Sequence, residues 1–185
     1  RCVMKRLARR WAQALAPFQF GVGRSNGLLS IVRGLQHSYS SDQDREFVFL
    51  DLKRAFNSVS RVVMRRSVLA VFPCLAGVLG SLYPPSILQV VHGSDGQFHE
   101  VDSCSGVLQG CPLGTALFAT AIQPVLRDVL LAHTPRDGPC PVTMSAYVDD
   151  IVISGPRADV LDFYLDLQRV LPASVGVTVN VDKCI

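Results

Sequence analysis

The chain has 185 residues, of which 49% are hydrophobic and 18% charged. That composition excludes a disordered tail, a coiled coil and a mucin-like stalk, and the length suits one domain with a substantial core. The formal charge is +3, yet residues 1–41 hold seven basic residues (Arg1, Lys5, Arg6, Arg9, Arg10, Arg24 and Arg33) and no Asp or Glu, an end that could face a polyanion or be a solvated helix face.

Residues 3–15 alternate apolar and basic positions at helical spacing, and Pro17, Gly21 and Gly23 follow as breakers. A second helix is predicted over residues 27–37, then a polar turn over 38–44. The period changes at residues 46–52, a short aromatic and branched run that reads as a buried strand with the carboxylate of Asp51 near its C-terminal end. Ser58 or Ser60 is placed to cap a helix through Val71, and Pro73 closes it. Residues 86–92 and 97–102 flank Gly93-Ser94-Asp95-Gly96 as a hairpin. A long helix is predicted over 113–131, beginning after Pro112. Two short strands at 142–147 and 151–154 enclose Val148-Asp149-Asp150; a helix over 158–171 and a strand over 176–181 complete the chain. The order predicts an α+β fold, an antiparallel sheet backed by helices.

Two stretches without charge, 67–94 and 103–126, are long enough to span a membrane. Pro73, Gly77, Gly80, Pro84 and Pro85 interrupt the first, and Gln109, Gly110, Pro112, Gly114, Gln123 and Pro124 the second, so both read as buried core and no membrane partner is predicted. The six cysteines (Cys2, Cys74, Cys104, Cys111, Cys140, Cys184) and four histidines fall at no metal-ligand spacing. Reduced thiols of an intracellular protein are expected, with neither zinc nor disulfide.

The carboxylates need an explanation. Asp51 ends one apolar strand and Asp149-Asp150 occupy a tight turn between two others, where desolvated charge must be matched. Lys53 and Arg54 could pair with Asp51, and one Asp at a strand end is ordinarily a turn residue. Two such sites fit a divalent cation better, because hard carboxylate oxygens are what Mg²⁺ prefers. A reaction served by paired carboxylate-held Mg²⁺ ions is phosphoryl transfer, as in nucleases, cyclases and polymerases.

Residues 47–61 (FVFLDLKRAFNSVSR), 106–116 (GVLQGCPLGTA), 146–153 (AYVDDIVI) and 176–185 (GVTVNVDKCI) resemble, in order and spacing, the palm motifs of reverse transcriptases lettered A to D. Residues 17–25 (PFQFGVGRS) resemble the segment before motif A in the non-LTR retrotransposon and group II intron branch. The resemblance implies a polymerase palm over residues 46–185, part of the fingers over 1–45, and no thumb. It implies that Asp51 and Asp149 bind two Mg²⁺ ions, Mn²⁺ being a possible substitute, with the Leu52 carbonyl assisting and Asp150 in support. Phe56 stands at the steric-gate position, which selects dNTP over NTP. Gln109 and Gly110 would contact nucleotide and template, Tyr147 the primer end, and Lys183 would protonate the leaving pyrophosphate. Arg24, Arg9 and Arg10 would face phosphates of the RNA template or DNA primer.

The chain departs from the family pattern at Asn57, where many members have Asp, and at Gly114, where Ser is common. Basic fingers residues that bind triphosphate are not evident, so a larger polyprotein is expected to supply fingers and thumb, and the fragment alone is expected to be inactive. A nuclear location would follow for a eukaryotic retroelement. Two other readings remain open: an RNA-directed RNA polymerase, and an inactive reverse-transcriptase-like scaffold that binds RNA.

Overall fold

A computed structural model describes residues 2–185. Helix α1 (Cys2–Ala14) places Met4, Leu7 and Trp11 on one face at spacings of three and four. The Trp11 indole stacks 4.3 Å from the Phe72 ring and donates to the Thr120 hydroxyl at 2.9 Å, so the apolar face of α1 is anchored by a satisfied polar tip. Arg1 lies outside the described residues. Helix α2 (Gly27–Ser41) runs four residues beyond the predicted His37. The serines that read as a turn are accommodated because the Ser40 hydroxyl donates back to the Gln36 carbonyl at 2.8 Å, a bond made within the helix.

The predicted strand over 46–52 is two strands. β1 (Glu46–Leu50) pairs antiparallel with β6 (Asp150–Gly155), ending at Leu50 opposite Ile151. After Asp51 the chain changes partner: β2 (Leu52–Lys53) pairs with β7 (Thr178–Val179). β7 is therefore two residues rather than the six expected, and a 3₁₀ turn (Val181–Lys183) follows it. β5 (Thr143–Tyr147) completes a three-stranded sheet in the order β1-β6-β5.

Between these strands lie α3 (Ala55–Ser58), α4 (Arg61–Val71), a 3₁₀ turn (Pro73–Leu75) and α5 (Ala76–Leu82). Ser60 caps α4, its hydroxyl accepting from the Val63 amide at 3.4 Å. Neither α3 nor α5 was predicted; four and seven residues are too short to show a period. The hairpin of β3 (Ile87–His92) and β4 (Phe98–Ser103) forms as expected, with Leu88, Val90 and Phe98 exposed.

Helix α6 (Gly114–Ala132) is long and apolar enough to cross a membrane by length and composition. Instead it packs against α4 and α7 (Arg157–Val175), with Leu117, Phe118, Ile122 and Leu126 wholly buried. At roughly 1.5–3 kcal/mol for each such side chain, that contact makes α6 the centre of the core. α7 continues four residues past the predicted end, through Pro172. Burial of Leu171 and Val175 favours the extra turn, and Gly176, in the left-handed conformation, ends it by donating to the Pro172 carbonyl at 3.1 Å. The fold class is the expected α+β.

Candidate active site

The change of partner at the end of β1 puts Asp51 where two sheets meet. Its carboxylate accepts a hydrogen bond from the Asn180 side chain at 2.7 Å, and its carbonyl accepts from the Asn180 amide at 2.8 Å. One residue thus holds Asp51 by backbone and side chain, leaving the other carboxylate oxygen without a charged partner among the described residues. Asp149 sits in the two-residue turn of the β5–β6 hairpin, closed by the Tyr147–Asp150 pair. Because Leu50 faces Ile151 across the sheet, the carboxylates that follow and precede them emerge at the same end.

The proximity has an electrostatic consequence. The Asp149 carboxyl is raised above its ordinary value, first by burial and then by the charges of Asp150 and Asp51. None of the ion pairs among the described residues involves these three groups, so Lys53 and Arg54 do not neutralise Asp51. Among the described residues, no three His, Cys, Asp or Glu side chains close around a common point as a ready-made metal cage. Mg²⁺ does not require one, since it is bound through one or two carboxylates with substrate phosphates and waters completing the shell. Mutually repelling, uncompensated, hard oxygen donors fit that kind of site.

A largely apolar cavity of about 330 Å³ runs beside the carboxylates, between α2 and the sheet. Asp51, Asp150, Tyr147 and Lys183 all line it, together with Leu28 and Ile31. Tyr147 is partly exposed there and Lys183 is on the surface, in the 3₁₀ turn after β7. Leu52 is buried in its pairing with Val179.

A second cavity, about 360 Å³, is lined by Phe56, Asn57, Gln109, Gly110, Cys111, Gly114 and Thr115. Phe56 stacks on Phe118 with ring centroids 4.9 Å apart, so one face of the ring is core while the residue also borders open space. Gly110 has φ +81°, and a Cβ there would meet nothing within 4 Å. Glycine is needed for the backbone conformation rather than for a contact within the chain.

The loop carrying Gln109 is held by residues the sequence did not single out. Arg61 is 1% exposed, and its guanidinium donates to the Gly106 carbonyl at 3.0 Å, to the Ser103 carbonyl and to the Ser103 hydroxyl at 2.8 Å. The Leu108 amide donates to the Tyr83 hydroxyl at 3.2 Å, and burial drives the Tyr83 phenol well above its ordinary range. The Val107 amide donates to the Phe56 carbonyl at 2.8 Å, tying this loop to the ring.

Of the basic candidates, Arg24 lies over the Phe20 ring at 4.5 Å, and Arg10 over Phe72 at 5.4 Å. Arg9 and Arg10 are exposed on α1. None of the three is an ion-pair partner of the carboxylates. Besides Arg61 and Tyr83, two residues that shape the carboxylate site were missed: Asn180 and Gln19, the latter buried behind the Asp149 turn. An isolated amide within the aromatic run 18–20 was the available signal for Gln19.

Comparison with known proteins bears on this arrangement. The family model described as reverse transcriptase (RNA-dependent DNA polymerase) matches residues 1–185. No curated protein matches the sequence. Among solved structures, the chain is similar to telomerase from Candida albicans in complex with the TWJ fragment of telomeric RNA, with TM-score 0.73 and 13% identity over 99% of this chain and 34% of that one. Apo telomerase from Candida tropicalis, truncated from its C-terminal domain, gives TM-score 0.71 and 13% identity over 100% of this chain and 40% of that one. A chain of an RdRp complex gives 0.53 and 11%, over 97% and 18%. The chain spans little more than a third of the telomerases it resembles, and at these identities the likeness is one of fold.

Proposed function

Because the chain belongs to the reverse transcriptase family, we propose that it is the palm, with part of the fingers over residues 1–45, of a retroelement RNA-directed DNA polymerase of the non-LTR type. The observation that carries this reading is the convergence of Asp51 with Asp149 and Asp150, about a hundred positions later in sequence, at one end of the sheet without an ion-pair partner among the described residues.

Asp51 and Asp149 would hold Mg²⁺, with the Leu52 carbonyl assisting and Asp150 adding negative charge. When bound, the metal pair activates the primer 3′-hydroxyl and steadies the leaving pyrophosphate. Asn180 orients Asp51 through its 2.7 Å bond. Phe56 borders the sugar of the incoming dNTP and excludes a 2′-hydroxyl, while Gln109 and Gly110 meet the base pair it forms with the RNA template. Tyr147 supports the DNA primer end, and Lys183 delivers a proton to the departing phosphate. Arg9, Arg10 and Arg24 contribute to the positive end that faces nucleic-acid phosphates.

The aromatic at position 56, stacked and bordering the cavity, favours dNTP over NTP, and intact carboxylates favour an enzyme over an inactive RNA-binding scaffold. The test is primer extension on an RNA template, with dNTPs and Mg²⁺, by the protein that carries this domain. Asp149→Ala should abolish incorporation; equal incorporation by the parent and the variant would overturn the mechanism.

A further inference from the structure

We propose that Gln19 is a positioning residue that clamps the Val148–Asp149 turn and so aims the Asp149 carboxylate; the catalytic half of this inference rests on the function proposed above. Val148 has φ +64°, a conformation that a β-branched residue rarely adopts. It is the first central residue of a two-residue hairpin, where Gly or Asn is the usual occupant when φ is positive. Something outside the hairpin must therefore hold it.

Gln19 is the only candidate in contact with both flanking peptides among the hydrogen bonds described. Its side-chain oxygen accepts from the Val148 amide at 2.7 Å, and its side-chain nitrogen donates to the Val148 carbonyl at 3.2 Å. Those two groups belong to the peptide planes before and after Val148, so one planar amide restrains both φ and ψ. The same oxygen accepts from the Gly21 amide at 3.1 Å, which fixes the direction of the amide group: the reversed orientation would set donor against donor.

Gln19 is wholly buried, and its neighbours lock it in register. The Ala146 amide donates to the Phe18 carbonyl and the Phe20 amide donates to the Ala146 carbonyl, each at 2.7 Å, in a parallel bridge beside β5. Gly21 leaves room for the turn, since a Cβ there would stand 2.5 Å from a Val148 methyl. A glutamate in place of Gln19 would lose the donor to the Val148 carbonyl and bring a further negative charge towards the carboxylates. The neutral amide is the side chain that meets both demands.

The test uses Gln19→Met, which keeps the length of the side chain and removes its hydrogen bonds, alone and combined with Val148→Gly. Glycine takes positive φ without support, so Val148→Gly should make Gln19 dispensable. Three readouts apply to the protein that carries this domain: hydrogen exchange at the Val148 amide, Mn²⁺ affinity by electron paramagnetic resonance, and kcat against KM for dNTP. Gln19→Met is expected to speed exchange at Val148 and to weaken Mn²⁺ binding and kcat on the order of 10- to 100-fold, as loss of a group that orients a ligand does, with KM unchanged. In the Val148→Gly background the same substitution should change Mn²⁺ affinity less than about threefold, because glycine has no steric penalty at this φ.

Equal losses in both backgrounds, or unchanged exchange and Mn²⁺ affinity in folded Gln19→Met, would overturn the proposal. If Gln19→Met fails to fold, recovery of folding by Val148→Gly supports it, and failure of the double variant to recover overturns it. Absence of Mn²⁺ binding and primer extension in the parent would defeat the polymerase reading alone, while exchange at Val148 still decides whether the clamp exists.

Discussion

Phe56→Ala separates a substrate-selecting ring from a core aromatic. The ring stacks on the wholly buried Phe118 at 4.9 Å and an interplanar angle of 29°, and its surroundings include the cavity lined by Gln109, Gly110 and Thr115. A fully buried Phe→Ala costs roughly 3–5 kcal/mol, and an aromatic pair about 0.5–1.5 of that. Phe56 is only partly buried, so a loss of about 2 kcal/mol is expected, a fall in Tm of about 4–8 °C for a domain of this size. The functional change is of a different kind. Vacating ring volume beside the sugar should relax discrimination between dNTP and NTP by on the order of 10- to 200-fold, the range set by contacts the size of a methylene group. The assay is the ratio of kcat/KM for matched dNTP and NTP on one primed RNA template, with the melting curve of each variant as a control. A folded Phe56→Ala protein with unchanged discrimination would refute the gate and leave Phe56 as core packing against Phe118.

In metal-free protein, Asp149→Asn is expected to raise Tm at neutral pH. The folded carboxyl is raised above its unfolded value by burial and by Asp150 and Asp51, so the parent loses stability as pH climbs from the unfolded to the folded value and stays lower above it; melting curves from acid to neutral pH should therefore diverge from those of the variant in that window and run parallel beyond it. Asn180→Ala removes a charge-assisted bond to Asp51 and should weaken Mn²⁺ binding by about tenfold, measured by titration; unchanged affinity would mean that Asp51 orients itself. Arg61→Met strands the Gly106 and Ser103 carbonyls and should lower stability in urea by about 3 kcal/mol while raising KM for dNTP through the loosened Gln109 loop.

The carboxylates were legible because polar residues stand out against an apolar strand and a tight turn. The hairpins and long helices were legible from period and punctuation. What could not be read is what depends on contact between distant segments. Gln19 reaches Val148, and Asn180 reaches Asp51, each across 129 positions; the lone amide between Phe18 and Phe20 marks Gln19 as unusual but not what it contacts. The split of residues 46–53 into β1 and β2 was hidden for the same reason. Its side-chain pattern continues through Asp51, and only the positions of β6 and β7 decide where the chain changes partner. The end of α7 was misplaced for the same reason: burial of Val175 extends the helix past the expected residue 171.

That change of partner also explains why the site can carry so much uncompensated charge. A carboxylate at Val48 or Leu50 would point into the face packed against the core, where desolvation would neutralise it. Placing Asp51 at the junction frees it from the packed faces of both sheets, yet the Asn180 side chain and backbone still fix its direction. Register does the rest. With Leu50 opposite Ile151, Asp51 leaves the sheet at the end where the β5–β6 turn carries Asp149 and β6 begins with Asp150; a slip of one residue in that pairing would exchange the faces of β1 and bury Val48 and Leu50 on the wrong side. The register of β1 thus sets the geometry of the acidic cluster. Stability of the sheet and placement of the charge are one constraint rather than two, and a cation that binds the cluster relieves repulsion the fold has already accepted.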